Sequence, residues 1–135
     1  MTTIVMLAVL AQSPDVGNLY DLDTAGSSQK VKVGEKGKLV IEIRAKNGAH
    51  ISDEAPLKIE LKGTGATPEK DKLVYKDSVG QKHNGAEYPD PRFEVPFTAP
   101  TAGKASIEAK MKFFVCTEKV CQPQQKTITL PVDVI

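Results

Sequence analysis

Lys104-Ala105-Ser106-Ile107-Glu108-Ala109-Lys110-Met111-Lys112-Phe113-Phe114-Val115-Cys116 is the stretch that decides the fold. Every odd position from Ala105 to Val115 is apolar, and the even positions from Lys104 to Lys112 are polar or charged. Side chains alternate across a strand, so this spacing describes a strand with one face in a core and one in water; a helix would scatter the same residues around its surface. The same period recurs outward from it. Leu39, Ile41 and Ile43 alternate with Val40, Glu42 and Arg44, and Leu57, Ile59 and Leu61 alternate with Lys58, Glu60 and Lys62. Phe93, Val95 and Phe97 repeat the pattern, and Ile128, Leu130, Val132 and Val134 close the chain. Turn formers separate the runs: Gly34 to Gly37, Asn47-Gly48, Gly63 to Gly65, Pro89 to Pro91 and Pro100 to Gly103. Short strands at this spacing predict an all-β, immunoglobulin-like antiparallel β-sandwich over residues 29–135. Pro96 and Pro131 fall inside strand patterns, where each removes a ladder donor, so both are expected at edges or bulges.

The chain has 135 residues, with eighteen basic and seventeen acidic side chains. Near-neutral charge without clustering excludes a nucleic-acid binder, which needs a basic face, and gives no membrane-surface patch. Ile4 to Ala11 is an uninterrupted apolar run, too short to span a bilayer as a helix. It fits the second half of a secretory signal, with Val9 and Ala11 at the −3 and −1 positions of a cleavage site before Gln12; a first strand of the sandwich is the other reading. The expected organisation is a signal remnant over 1–11, an N-terminal arm over 12–28, and the sandwich from 29. Its localisation is then periplasmic or otherwise exported, with no membrane insertion of the mature domain. The stretch from Lys76 to Arg92 is the one long irregular segment, of the kind that is usually functional or mobile.

Chemistry concentrates in Phe114-Val115-Cys116-Thr117-Glu118-Lys119-Val120-Cys121-Gln122-Pro123. Two cysteines four residues apart, between strong strand patterns, are brought within bonding reach by a hairpin, with Cα atoms roughly 4.4–6.8 Å apart. In an oxidising compartment such a pair persists as a disulfide. As a staple it is weak, because closing a six-residue loop contributes about 2 kcal/mol in the chain-entropy model. Short-loop, exposed disulfides are more often labile or catalytic, and a structural bridge is the alternative. Phe114 falls on the face opposite Val115, where it forms an apolar patch beside the cysteines unless the 76–92 segment covers it. Lys112, Lys119 and Lys126 lie near the pair in sequence as thiolate-stabilising candidates. The spacing matches no common zinc pattern, so no metal site and no cofactor are expected, and His50 and His83 are read as ordinary loop histidines.

The hairpin from Phe114 to Pro123, followed by the strand Lys126 to Val132, resembles the N-terminal periplasmic domain of the DsbD family of thiol:disulfide interchange proteins. Gly48 to Leu57 is similar to that family's loop leading into a strand. The resemblance implies an immunoglobulin-like sandwich that works as a thiol:disulfide oxidoreductase domain, passing electrons to or from redox protein partners, either thioredoxin-like proteins or a membrane electron donor. It implies that Cys121 forms the mixed disulfide and Cys116 resolves it. It also implies an aromatic cap over the pair, for which Tyr88 is the candidate, with Phe114, Gln122 and Pro123 as partner-binding residues. The loop between the cysteines is one residue shorter than in the enterobacterial form, and Gln122 with a single Pro123 stands where an aromatic and a double proline often follow. A non-enzymatic immunoglobulin-like binding module, with a disulfide that only shapes its hairpin, is the competing expectation.

Overall fold

The computed structural model describes residues 19–80 and 89–135, so the apolar run before Gln12, His83 and Tyr88 lie outside the described residues. Each expected alternating run is a strand. The strands in chain order are β1 Tyr20–Asp23, β2 Lys30–Val31, β3 Lys36–Ala45, β4 His50–Ile51, β5 Lys58–Thr64, β6 Thr67–Pro68, β7 Lys72–Val74, β8 Arg92–Thr98, β9 Gly103–Cys116 and β10 Cys121–Val134. Among the described residues the only helical element is a single 3-10 turn, Tyr75–Asp77. One sheet has the order β1-β3-β8-β6; the other runs β2-β10-β9-β5-β7, with β4 also on β9. All pairings are antiparallel except that of β2 with β10. The protein is thus an all-β, immunoglobulin-like sandwich.

The facing sides of the two sheets make the core. Leu39, Ile41, Ile43, Phe93, Val95 and Phe97 come from one, and Ile59, Ile107, Ala109, Met111, Phe113 and Val115 from the other. Phe97 lies across Gly37, and a Cβ on that glycine would fall 2.5 Å from the ring, so the aromatic occupies space only glycine leaves open.

Contrary to expectation, the prolines are not on edge strands: β8, which carries Pro96, lies between β3 and β6, and β10, which carries Pro131, lies between β9 and β2. Each proline is tolerated because its nitrogen turns away from its long partner strand. The N–H groups of Asp133 on β10 and of Ile135 just after it donate to Gln29 and Val31 on the β2 side, so Pro131, which shares their phase, turns its nitrogen away from β9. Pro123 has the same phase. Pro96 turns its carbonyl toward Glu69 and away from β3, so the missing donor breaks no β3–β8 bond.

The segment read as an arm differs from expectation. Tyr20–Asp23 is a strand paired with β3, so the sandwich includes residues ahead of position 29. Asp21 and Asp23 disguise it, but they lie on an edge strand, and Tyr20 supplies the buried side chain.

Candidate functional site

β9 and β10 form one long hairpin, and the cysteines close its tip. Cys116 and Cys121 stand directly opposite each other and are joined by a disulfide. The Thr117 N–H donates to the Val120 carbonyl at 2.8 Å, closing the turn at Glu118-Lys119. The Thr117 hydroxyl accepts from the N–H groups of Lys119 and Val120, both at 3.3 Å. Because residues 117 and 120 are the hydrogen-bonded pair, the cysteines occupy the next, non-hydrogen-bonded pair, where antiparallel strands approach to about 4.5 Å. Their Cα atoms are 4.0 Å apart, closer than the expected range for this reason.

The two half-cystines differ in exposure. Cys116 is 3% exposed, whereas Cys121 is open to solvent. Cys116 is buried outside the sandwich core: the core set ends at Val115, and Cys116 lies on the other face of the sheet. On that outer face, Phe114 and Pro123 are paired immediately beside the disulfide. Phe114 is half-buried and Pro123 exposed. Val120, next to Cys121, is 47% exposed. Gln122 is not part of this group. It stands opposite Val115, so it belongs to the inner face, the register having moved it one position away from the sulfurs.

The register also sorts the lysines. Lys126 is opposite Met111 and belongs to the inner face. Lys112 shares the outer face with Cys116 but lies four residues down the strand, about 13 Å away. Lys119 sits exposed in the turn. The ionisable residue placed in register with a cysteine is His50, directly opposite Cys116 on the side away from Cys121. It arrives there through the turn at Lys46 to Ala49, where Asn47 and Gly48 both have positive φ, 56° and 81°. The Ala49 N–H donates to the Lys46 carbonyl at 3.1 Å, and the turn hands the chain from β3 in one sheet to β4 in the other. β4 and β5 lie end to end along β9, with residues 52–57 looping out between them. The Ser52 N–H donates to the Phe114 carbonyl, and the Ser52 hydroxyl accepts from the N–H groups of Glu54 and Ala55, which holds that loop.

The segment expected to carry the cap has its neck at the same end of the sandwich. The Val79 N–H donates to the Arg92 carbonyl, and an Asp90 carboxylate oxygen accepts from the Ala45 N–H at 3.1 Å. A side chain on Gly80 would collide with the Asp90 backbone, so the two arms of the neck touch. Beside it stands Tyr75, half-buried, whose hydroxyl is buried without a hydrogen-bond partner among the described residues. Burial, followed by the negative charges of Asp53 and Asp90, raises its pKa above the usual phenol value. Tyr20 closes the core beneath the tip: its ring meets Phe113 edge-on at 5.2 Å, and its hydroxyl donates to Gln124 Oε1 at 3.1 Å. No cluster of three or more metal-binding side chains occurs among the described residues.

Comparisons with known proteins place the architecture. No protein-family model matches the chain, and no curated protein matches it significantly. Among solved structures, it is similar to a cohesin module from a family 33 glycoside hydrolase of Clostridium perfringens. The TM-score is 0.51 at 11% identity, covering 85% of this chain and 94% of that one. A lipoprotein from Bacteroides thetaiotaomicron aligns at TM-score 0.45 and 15% identity, over 92% of this chain and 84% of that one. At such identity the cohesin likeness shows the sandwich fold alone. No helix among the described residues is long and apolar enough to cross a membrane.

Proposed function

We propose that the domain exchanges disulfides with protein partners through Cys116 and Cys121. The observation that carries this reading is the unequal exposure of the two residues, Cys121 open and Cys116 shielded. An incoming thiolate must reach one sulfur and expel the other. Here the exposed residue of the pair is Cys121, with Phe114, Pro123 and Val120 offering apolar surface beside it. In the step that follows, a partner thiolate attacks Cys121 Sγ, a partner–Cys121 bond forms, and the bond between the cysteines breaks with its electron pair left on Cys116. The partner's second thiolate then attacks its own half of the mixed disulfide and expels Cys121. The partner leaves oxidised, and the pair has gained two electrons. Run in reverse, the same steps pass those electrons to an oxidised partner. No cofactor takes part.

These roles agree with those implied by the resemblance to the DsbD N-terminal domain, which is part of the same proposal. The reading requires an oxidising compartment, as for an exported or periplasmic domain. A binding module with a purely structural bridge would make no use of the difference between the two cysteines. The test is the reduction potential of the pair, measured against a dithiol buffer, together with exchange against a reduced thioredoxin-like protein. A potential above about −300 mV with measurable exchange is expected. A lower potential, or a pair inert toward the protein dithiol, would overturn the proposal. The Cys116→Ser variant is expected to hold a stable mixed disulfide through Cys121.

A further inference from the structure

Resting on that reading, the geometry points to His50 as the positioning residue that stabilises the Cys116 thiolate. When Cys121 is attacked, Cys116 leaves as an anion at a site that is 3% exposed. Burial disfavours the charged form of a thiol, so a shielded leaving group requires a nearby donor or positive charge. The lysines close in sequence do not meet this need: Lys126 is on the other face, Lys112 is four residues down the strand, and Lys119 lies in the turn. His50 does. It is directly opposite Cys116 in the β4–β9 pair, and residues facing each other across an antiparallel pair share a face, with Cβ atoms about 4.5–5.5 Å apart.

Cys116 therefore sits between its disulfide partner on β10 and an imidazole on β4. Among the described residues the two-residue strand β4 pairs with Cys116 and Val115, so its register sets His50 opposite Cys116 on the outer face. In the reduced state an imidazolium at His50 is the counter-charge for the thiolate that the broken bond leaves behind. The other charged side chains on the segments bordering this row are Lys46, Asp53, Glu54, Glu118 and Lys119, with Asp90 on the neck of the 81–88 segment. None of them is in register with Cys116.

Stabilising the thiolate favours the reduced form and makes the pair more oxidising. His50→Gln is expected to shift the equilibrium about tenfold toward the disulfide, a potential about 30 mV more negative. In a Cys121→Ser background, the same substitution is expected to raise the Cys116 thiol pKa by about one unit, read from thiolate ultraviolet absorbance. His50→Lys, which restores a cation, is expected to recover most of both effects, and circular dichroism of each variant checks the fold. An unchanged potential and thiol pKa in folded His50→Gln would overturn the role of His50. If the parent protein exchanges with no dithiol protein, the functional reading fails instead; the thiol pKa still tests His50 separately.

Discussion

The two ends of the β9–β10 hairpin are built to different rules. Near Gly103 and Val134, buried and exposed residues alternate cleanly on β9, and β10 answers with Leu130, Val132 and Val134 on the core side. Near the cysteines the alternation breaks, since Val115 and Cys116 are both buried although they face opposite ways. On β10 the inner positions there are Gln122, Gln124 and Lys126 in place of aliphatics. One end is packed like a core. The other spends polar residues on its inner face, closes the gap with Tyr20, and places apolar residues outside, beside the disulfide. An end built only for stability has no reason to invert the pattern, and the inversion coincides with the one covalent cross-link among the described residues.

The sharpest way to separate the ends is a large core deletion at the base. Ile107→Ala is expected to cost about 2–5 kcal/mol in denaturant unfolding while leaving the disulfide's reactivity toward a small thiol unchanged. A change in that reactivity would mean the ends are coupled. Replacing both cysteines with alanine is expected to cost about 2 kcal/mol, the chain-entropy value for so short a loop, and to abolish exchange. A far larger loss would recast the bridge as the staple of the tip. Tyr20→Phe removes the hydroxyl that Gln124 accepts, and calorimetry is expected to show a loss of about 1 kcal/mol. Phe114→Ala is expected to change stability by about 1 kcal/mol or less, yet to slow exchange with a protein dithiol more than exchange with glutathione. Equal slowing would remove Phe114 from the docking surface.

The smallest effect is expected at Tyr75. Its folded pKa lies above its unfolded one, so the stability it contributes is complete below about pH 10, the unperturbed phenol value. It is lost as pH rises through the higher folded value. Alkaline titration followed by phenolate absorbance is expected to show Tyr75 ionising later than a free tyrosine, and an ordinary titration would mean that its packing near Asp53 and Asp90 is absent in solution.

What the sequence made legible follows the range of the interactions. Alternation is local, so the strand through Ala105 and Val115 and the hairpin behind it were readable, whereas the interior places of Pro96 and Pro131 were not, because strand order is set by distant pairing. The partner of a strand is not local. Nothing near His50 announces that it will stand opposite Cys116, because their registration depends on the Asn47-Gly48 turn and on where β4 meets β9. The same limit misplaced Gln122 and Lys126, whose faces depend on register and not on distance along the chain from the cysteines. Cys121 to Gln125 is too polar to look like a strand, but it continues one because β9 supplies a partner at every position. Tyr20–Asp23 was concealed by its aspartates, which an edge strand tolerates.

The long hairpin also decides where handles on the molecule belong. Leu19 accepts a hydrogen bond from Lys46, and its neighbour Tyr20 touches Phe113, so the described chain begins at the cysteine end. Val134 pairs with Gly103 at the opposite end, about 40 Å along the strand from Cys121. A fluorophore or surface linker attached at the end formed by Gly103 and Val134 would therefore leave the disulfide pointing into solution, while the same attachment at Leu19 would crowd it. Immobilising the domain in the two orientations and comparing thiol access gives a direct physical readout of which end faces the partner.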